Sequence, residues 1–428
     1  MSQPNIILLM SDQQRWDTLG CNGNAFTETP HLDALAAGGV RCVNSFTPYP
    51  VCTPVRATMW TGVYPHAHGV TMNVYEISDA LAEFSHEKRT LFASMQEAGY
   101  TTAYFGKWHL GEDQPAYIDV WEGWNSGLSH WVDNEPDGVY RPDLQTDQMI
   151  EFMRNQADSD RPFVAVNGFY PPHGHYTAPK RFYDPYRGKG ILRAGYYAAV
   201  TNLDYNVGRI VAALDELGIR ENTILVYYSD HGDHFKYRDG VTAKFTCHED
   251  SIRVPFIING PGTIPASVEL NEFVGLEDLM PTVLEWAGLP VPNHLHGKSL
   301  LPLLGGQSGA EAGWRESYYV ENRLKNDNVF QRAIRTDRWK LILSESRSLR
   351  DYALDGFLYD LENDPEEEMN LYYAAHREIR GQQSHFPDHT DQITELAGLL
   401  LGHAQRVDDN VGIDIANLCL LQMRKRVE

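Results

Sequence analysis

Asn5-Ile6-Ile7-Leu8-Leu9-Met10-Ser11-Asp12-Gln13 and Thr223-Ile224-Leu225-Val226-Tyr227-Tyr228-Ser229-Asp230-His231 are the stretches that decide the fold. Each opens as a short run of apolar and aromatic residues, the pattern of a strand covered on both faces, and each closes on polar side chains. Around them helix and strand patterns alternate. Thr29-Pro30 opens a helix with Leu32, Leu35 and Ala36 on one face, and Thr90 to Tyr100 repeats the pattern and ends at Gly99. Thr101–Phe105 and Pro162–Phe169 read as strands, Asn202–Leu217 as a helix, Phe256–Ile258 as a strand and Leu276–Trp286 as a helix. This alternation predicts an α/β fold, a large and mostly parallel sheet sandwiched by helices. Ligands of such sheets bind beyond the carboxyl ends of the strands, so Asp12-Gln13 and Asp230-His231 are predicted to share one sheet edge.

After the Gly/Ser-rich Gly305–Gly313 the pattern changes. Ser317–Val320, Gln331–Arg335, Trp339–Leu343 and Gly356–Tyr359 read as short antiparallel strands, and Ile393 to Leu420 has the spacing of one or two helices. The expected organisation is an α/β domain over residues 1–310 and a smaller α+β subdomain over 314–428, carrying an antiparallel sheet and terminal helices.

Composition narrows the function classes. The 428 residues include 36 Lys+Arg against 58 Asp+Glu, a net charge of −22, which argues against a nucleic-acid partner. With 42% hydrophobic residues the chain can bury a core, yet its longest apolar runs, such as Ile6–Met10, are far shorter than the ~20 residues of a membrane span. The first residues lack a basic region and a cleavage site, so a cytoplasmic location is expected. Five cysteines form no disulfide framework; Cys21, Cys42, Cys247 and Cys419 are expected to be inert thiols.

The carboxylates, amide and imidazole of Asp12, Gln13, Asp230 and His231 suit a divalent cation: the oxygens favour Ca²⁺, and His231 also admits Mn²⁺ or Zn²⁺. The fifth cysteine lies in Pro50-Val51-Cys52-Thr53-Pro54-Val55-Arg56-Ala57-Thr58-Met59-Trp60-Thr61-Gly62. Three residues separate Cys52 from Arg56, too few for the oxyanion-wrapping loop of a cysteine-dependent phosphatase. The stretch resembles instead the type I sulfatase signature C-x-P-x-R-x-x-x-x-T-G through Cys52, Pro54, Arg56, Thr61 and Gly62, with Val55 where many relatives carry Ser or Ala. Gly106-Lys107-Trp108-His109, Pro172-His173, Ser229-Asp230-His231-Gly232, Lys244 and Leu358-Tyr359-Asp360 are similar to further segments of that family.

The resemblance implies an alkaline-phosphatase-like fold and hydrolysis of sulfate esters of aryl alcohols or saccharides. It further implies oxidation of Cys52 to formylglycine by a maturation enzyme, and a bound cation, Ca²⁺ by analogy, on Asp12, Gln13, Asp230, His231 and the side chain at 52. By the same analogy Lys107, Lys244 and Arg56 would neutralise the sulfuryl oxygens, Arg56 would also anchor the aldehyde hydrate, His109 would be a base, and His173 with Lys244 would be acids for the leaving oxygen. Two alternatives stay open. One is a phosphonate monoester or phosphodiester hydrolase on the same scaffold, although relatives of that type lack the equivalents of Lys107 and His109. The other is a non-catalytic metal-binding homologue with an unmodified Cys52. His66 and His68 read as structural, Asp233 and His234 as partners that orient ligands, and His175 as a pocket residue. The aromatics Tyr117, Trp121, Trp124, Trp131 and Tyr140 suit packing better than substrate stacking, and a homo-oligomer built partly by the tail is expected.

Overall fold

The computed structural model describes residues 3–427, apart from 76, 78, 82–88, 136–137, 239–240, 325–328, 348–351, 373–377, 380–381 and 384–387. Much of the stretch 74–87 therefore lies outside the described residues. At the centre stands an eight-stranded sheet in the order Val268–Leu270, Val40–Cys42, Phe256–Asn259, Thr223–Ser229, Asn5–Asp12, Phe163–Pro172, Thr101–Lys107, Val120–Trp124. All run parallel except Phe256–Asn259, which pairs antiparallel with both neighbours.

The Asn5–Asp12 strand is buried along its whole length. Ile6, Leu8 and Met10 enter one core, with Val55, Trp60, Leu91 and Met280 from the helices on that face. Ile7 and Leu9 enter the other, with Leu32, Met149 and Val200. Two-sided burial is the physical reason for the unbroken apolar run. Ser11 pairs with Ser229 in register, so Asp12 and Asp230 leave adjacent parallel strands side by side at one sheet edge, as expected.

The C-terminal part holds a four-stranded antiparallel sheet, Tyr318–Arg323, Val329–Arg335, Trp339–Arg347 and Tyr352–Asp360 in that order. The helices Thr390–Arg406 and Asn410–Val427 pack on one face through Leu341, Leu343, Leu396 and Ile415. Val320, Ala333 and Ile342 on the other face meet Phe46, Ile252 and Phe273 of the large unit. Among the described residues, no helix is long and apolar enough to cross a membrane.

Several details differ from the sequence expectation. The helix expected over Leu276–Trp286 divides into a 3-10 turn, Leu276–Asp278, and an α-helix, Leu279–Trp286, while the one expected from Asn202 begins at Ala194. The outer strands Val120–Trp124 and Val268–Leu270, and Val40–Cys42 beside the latter, are too short to show a period. Helix Arg141–Gln156 escapes notice because its buried side includes Gln145 and Thr146, the latter bonded back to the Pro142 carbonyl at 2.8 Å.

Candidate active site

Helix Cys52–Thr61 is buried at every position and begins at Cys52, with Val51 still extended. Pro54 tolerates the first turn because its missing N–H has no helical partner there. Gly62 ends the helix at φ 67° and donates to the Thr58 carbonyl, and a Cβ there would come within 3.0 Å of Leu295. The signature thus describes a helix with its cysteine at the positive end of the macrodipole. Arg56, one turn on, lies on the same face as Cys52.

Arg56 is fully buried and holds the two strand-end carboxylates. Nε donates to Asp230 Oδ2 at 3.0 Å, Nη2 donates to Asp12 Oδ2 at 3.0 Å and to Asp230 Oδ2 at 2.9 Å, and Nη1 bonds the Lys107 carbonyl. It does not line the cleft, so the expectation that it meets the sulfuryl oxygens is corrected: its fork is already engaged with the carboxylates and the carbonyl. Burial and Cys52 raise the pKa of Asp12, but Lys107, His173 and Arg56 outweigh them and hold it well below the carboxylate range. Burial and the adjacent Asp12 push Asp230 up.

Asp12, Cys52, Asp230 and His231 offer ligand atoms within 4.8 Å of one another. His231 Nδ1 donates to the Gly232 carbonyl at 2.9 Å, which leaves Nε2 as the ligand nitrogen, 3.8 Å from Asp12 Oδ1 and 3.6 Å from Asp230 Oδ1. Gln13 Nε2 donates to Asp233 Oδ2 at 2.7 Å, while Gln13 Oε1 is buried without a partner. Two carboxylates, an orphaned amide oxygen and an imidazole held in its ligating tautomer fit a divalent cation. Asp233 orients Gln13, as expected, and also accepts from the Tyr176 hydroxyl at 2.6 Å. His234 touches no candidate ligand; its Nε2 meets the Lys244 carbonyl at 3.2 Å and braces that loop.

The Cys52 sulfur stands at the meeting point of these groups. It lies 3.0 Å from Lys244 Nζ, 3.2 Å from His231 Nε2, 3.6 Å from Lys107 Nζ and 3.7 Å from Asp12 Oδ1. Burial raises the thiols of Cys21, Cys42 and Cys419. At Cys52 burial acts in the same direction, but Lys107, Lys244 and His231 outweigh it and hold the thiol well below its ordinary value. Position 52 is therefore built to carry an anion.

Above it opens a cleft of about 660 Å³ that Lys107, His109, His173 and Lys244 all line. His109 sits in the left-handed region at φ 58°, and its buried ring reaches Cys52. Burial and Lys107 push its pKa down to about 4, so it is a free base at neutral pH. Burial and Lys244 also lower His173, whose Nδ1 is 2.9 Å from the Gly174 carbonyl. Lys244 shifts the other way: Cys52 and Asp12 outweigh its burial.

His175 is exposed and does not line the cleft. His66 bonds Glu321 and meets the Val407 carbonyl at 2.7 Å, and His68 Nε2 meets Thr58 Oγ1 at 3.0 Å, so both serve packing. Arg332 occupies the cluster formed by His66, Glu321 and Asp409 and binds Asp409 through two nitrogens, which leaves no room for an ion. Trp121 packs on Tyr104 and Trp108, and Trp131 on Tyr140. None of the five aromatics Tyr117, Trp121, Trp124, Trp131 and Tyr140 lines the cleft. Tyr170, which does, was not singled out in the sequence; its place just before Pro171-Pro172-His173 at a strand end is the signal that marks it.

The model of the family described as Sulfatase matches residues 4–289, well over half the chain. This chain belongs to the sulfatase family. A second model, N-sulphoglucosamine sulphohydrolase, C-terminal, matches residues 238–385. An ulvan-active sulfatase from Formosa agariphila is 31% identical over 71% of this sulfatase, which spans only 65% of that relative's length. An arylsulfatase from Clostridium perfringens is 28% identical, with 86% of this chain and 90% of the relative covered. Among solved structures, one in complex with its substrate D-glucosamine-2-N,6-O-disulfate has a TM-score of 0.77 at 23% identity, covering 95% of this sulfatase and 99% of that chain. The phosphonate monoester hydrolase of Agrobacterium radiobacter has a TM-score of 0.77 at 21% identity, covering 94% and 96%. Both likenesses are of fold.

Proposed function

We propose that this sulfatase hydrolyses sulfate monoesters of saccharides or aryl alcohols by way of formylglycine at position 52. The observation that carries the reading is the side chain of residue 52, set between Lys244, Lys107 and His231 at the floor of the cleft. The hydrated aldehyde, made from Cys52 by an oxidising maturation enzyme, would supply two geminal hydroxyls, one attacking sulfur as its alkoxide after giving its proton to water and one whose deprotonation would release sulfate by C–O cleavage. Asp12, Gln13, Asp230 and His231 would hold a divalent cation, whose charge would lower the pKa of the attacking hydroxyl and stabilise the sulfuryl oxygens. Three oxygen donors favour Ca²⁺, and the imidazole admits Mn²⁺.

The chain's own residues complete the chemistry. Lys107 and Lys244 meet the sulfuryl oxygens from two elements, the main electrostatic contribution to the transition state. Lys244, held protonated, gives its proton to the leaving oxygen as the S–O bond breaks. His173 shares that task once the anionic ester, lying beside Lys244, restores its basicity. His109 takes the proton from the second hydroxyl. Arg56 acts through Asp12 and Asp230 as a positioning residue. Tyr75, Tyr170, Tyr176 and Phe245 give the cleft aromatic faces while Asn73 and Ser126 offer hydrogen bonds, a combination suited to a sugar ring.

The mass of the tryptic peptide Cys42–Arg56 tests the reading, because conversion of thiol to aldehyde changes it without any choice of substrate. An unmodified peptide, or full sulfatase activity in Cys52→Ala, refutes it. Turnover of an aryl sulfate against an aryl phosphonate separates it from the phosphonate hydrolase reading; with Lys107 and His109 both in the cleft, sulfate is expected to be preferred.

A further inference from the structure

We infer that Tyr170 is a positioning residue for this reaction, its ring holding Lys107 and His173 in the arrangement that receives the sulfate group; the inference rests on the sulfatase reading. Lys107 Nζ lies 4.4 Å from the centroid of the Tyr170 ring. The His173 imidazole stacks on the same ring at 4.8 Å with 29° between planes. Two side chains with separate tasks at the sulfuryl group therefore depend on one aromatic surface. That surface is itself fixed. Trp124 meets the ring edge-on at 5.4 Å and 74°, and buried His130 meets it at 4.9 Å and 84°. Neither nitrogen of His130 has a hydrogen-bond partner, so this histidine serves as a packing edge.

An aromatic face suits this position better than a second carboxylate. Asp12 Oδ2 already binds Lys107 Nζ at 2.6 Å, but Asp12 is also a candidate cation ligand, so its hold on Lys107 is shared. The ring quadrupole gives the ammonium a second anchor for which no cation competes. It carries no net charge, so the field of Lys107 remains available to an incoming anion. Stacking likewise fixes the His173 ring plane, while its Nδ1 faces the Gly174 carbonyl and the ring reaches Cys52, where the ester would approach. Burial, Asp12 and Cys52 raise the phenol of Tyr170, which keeps the ring neutral.

The test compares wild type, Tyr170→Leu, Tyr170→Phe, Lys107→Met and Lys107→Met/Tyr170→Leu, reading inorganic sulfate affinity by calorimetry and kcat with an aryl sulfate. Loss of a desolvated cation–π contact predicts that Tyr170→Leu weakens sulfate binding and lowers kcat by about ten- to thirtyfold each. Tyr170→Phe, which keeps the ring, should recover both to within about threefold of wild type, since the inferred contact uses the ring face and not the hydroxyl. In the Lys107→Met background the leucine substitution should cost clearly less, because the contact it removes is already gone. Unchanged values in Tyr170→Leu, a phenylalanine variant as impaired as the leucine one, or the same factor in both backgrounds overturns the inference. If Tyr170→Leu does not fold, Tyr170→Met takes its place. A wild type that binds sulfate but turns over no sulfate ester refutes the proposed reaction alone, and the affinity series still decides the role of Tyr170.

Discussion

Arg56→Met removes a cation whose partners are two fully buried carboxylates. In the wild type three bonds of 2.9–3.0 Å tie the guanidinium to Asp12 and Asp230. Without it Asp12 and Asp230 face each other, with Lys107 reaching only Asp12 and the His231 ring, whose pKa Asp230 raises, standing 3.8 Å from Asp12 and 3.6 Å from Asp230. Each lost charge-assisted bond is worth about 1.5–3 kcal/mol, but they are not additive, and removing one partner of a buried ion pair costs about 3–5 kcal/mol overall. Protein freed of metal by a chelator should therefore lose about 3–5 kcal/mol in urea unfolding followed by tryptophan fluorescence. Saturating Ca²⁺ should reduce the loss, because the cation neutralises the same carboxylates and stabilises whatever binds it.

The pH dependence of that loss has a definite sign. Asp230 is already raised by burial and Asp12, and removing Arg56 raises it further. A carboxyl with a raised native pKa favours the folded state at low pH and loses that contribution as pH rises. The penalty of Arg56→Met should thus shrink on acidification and grow toward neutrality. Arg56→Lys should lie between the two, because an ammonium keeps the charge but cannot span both carboxylates. A metal-free Arg56→Met protein within about 1 kcal/mol of wild type would refute the reasoning, since buried charges left unpaired do not come so cheaply.

His109→Gln should separate the two halves of the reaction: rapid mixing with an aryl sulfate should release one equivalent of phenol per active site and then stall, while Lys244→Met should slow that first release itself. Continued turnover of His109→Gln near the wild-type rate would remove His109 as the base. Asp409 is brought from 3.8 down to about 2, because Arg332 outweighs its burial. The unfolded chain then binds more protons between these values, so about 2 kcal/mol of stability is present above pH ~4 and lost as pH falls toward ~2. Acid unfolding of Asp409→Asn should lack that part of the slope, and identical slopes in the two proteins would count against it.

What could be read from the chain follows from where the determining contacts lie. The Asn5–Asp12 and Thr223–Ser229 strands are legible because burial on two faces leaves an unbroken apolar run. Asp12 and Asp230 are legible because each stands at a strand end, where α/β sheets place their ligands, whereas Lys107 and His173 are marked by the resemblance of their segments to those of the family. Arg56 shows the limit. Its sequence position marks it as part of a signature, but its task is set by Asp12, 44 positions away, and Asp230, 174 positions away. Tyr170 was hidden in the same way: within a buried strand an aromatic residue looks like core, and only the approach of Lys107 and His173 shows otherwise.

An acidic chain must concentrate positive charge to bind an anion, and the geometry shows how this one does so. Arg56 and the carboxylates of Asp12 and Asp230 occupy the buried side, where the guanidinium offsets much of their charge. Lys107 and Lys244 stand on the cleft side, contributed by a sheet strand and by a loop after Thr223–Ser229. The first turn of helix Cys52–Thr61 adds its dipole from beneath. Residue 52 lies on the boundary between these layers, with the cationic side chains on one side and the carboxylates on the other. A divalent cation added to the carboxylate layer leaves the lysines free to act on the ester, so metal binding and anion binding reinforce each other although they use different residues. The low pKa of the Cys52 thiol is the same field acting on the side chain that stands at that boundary.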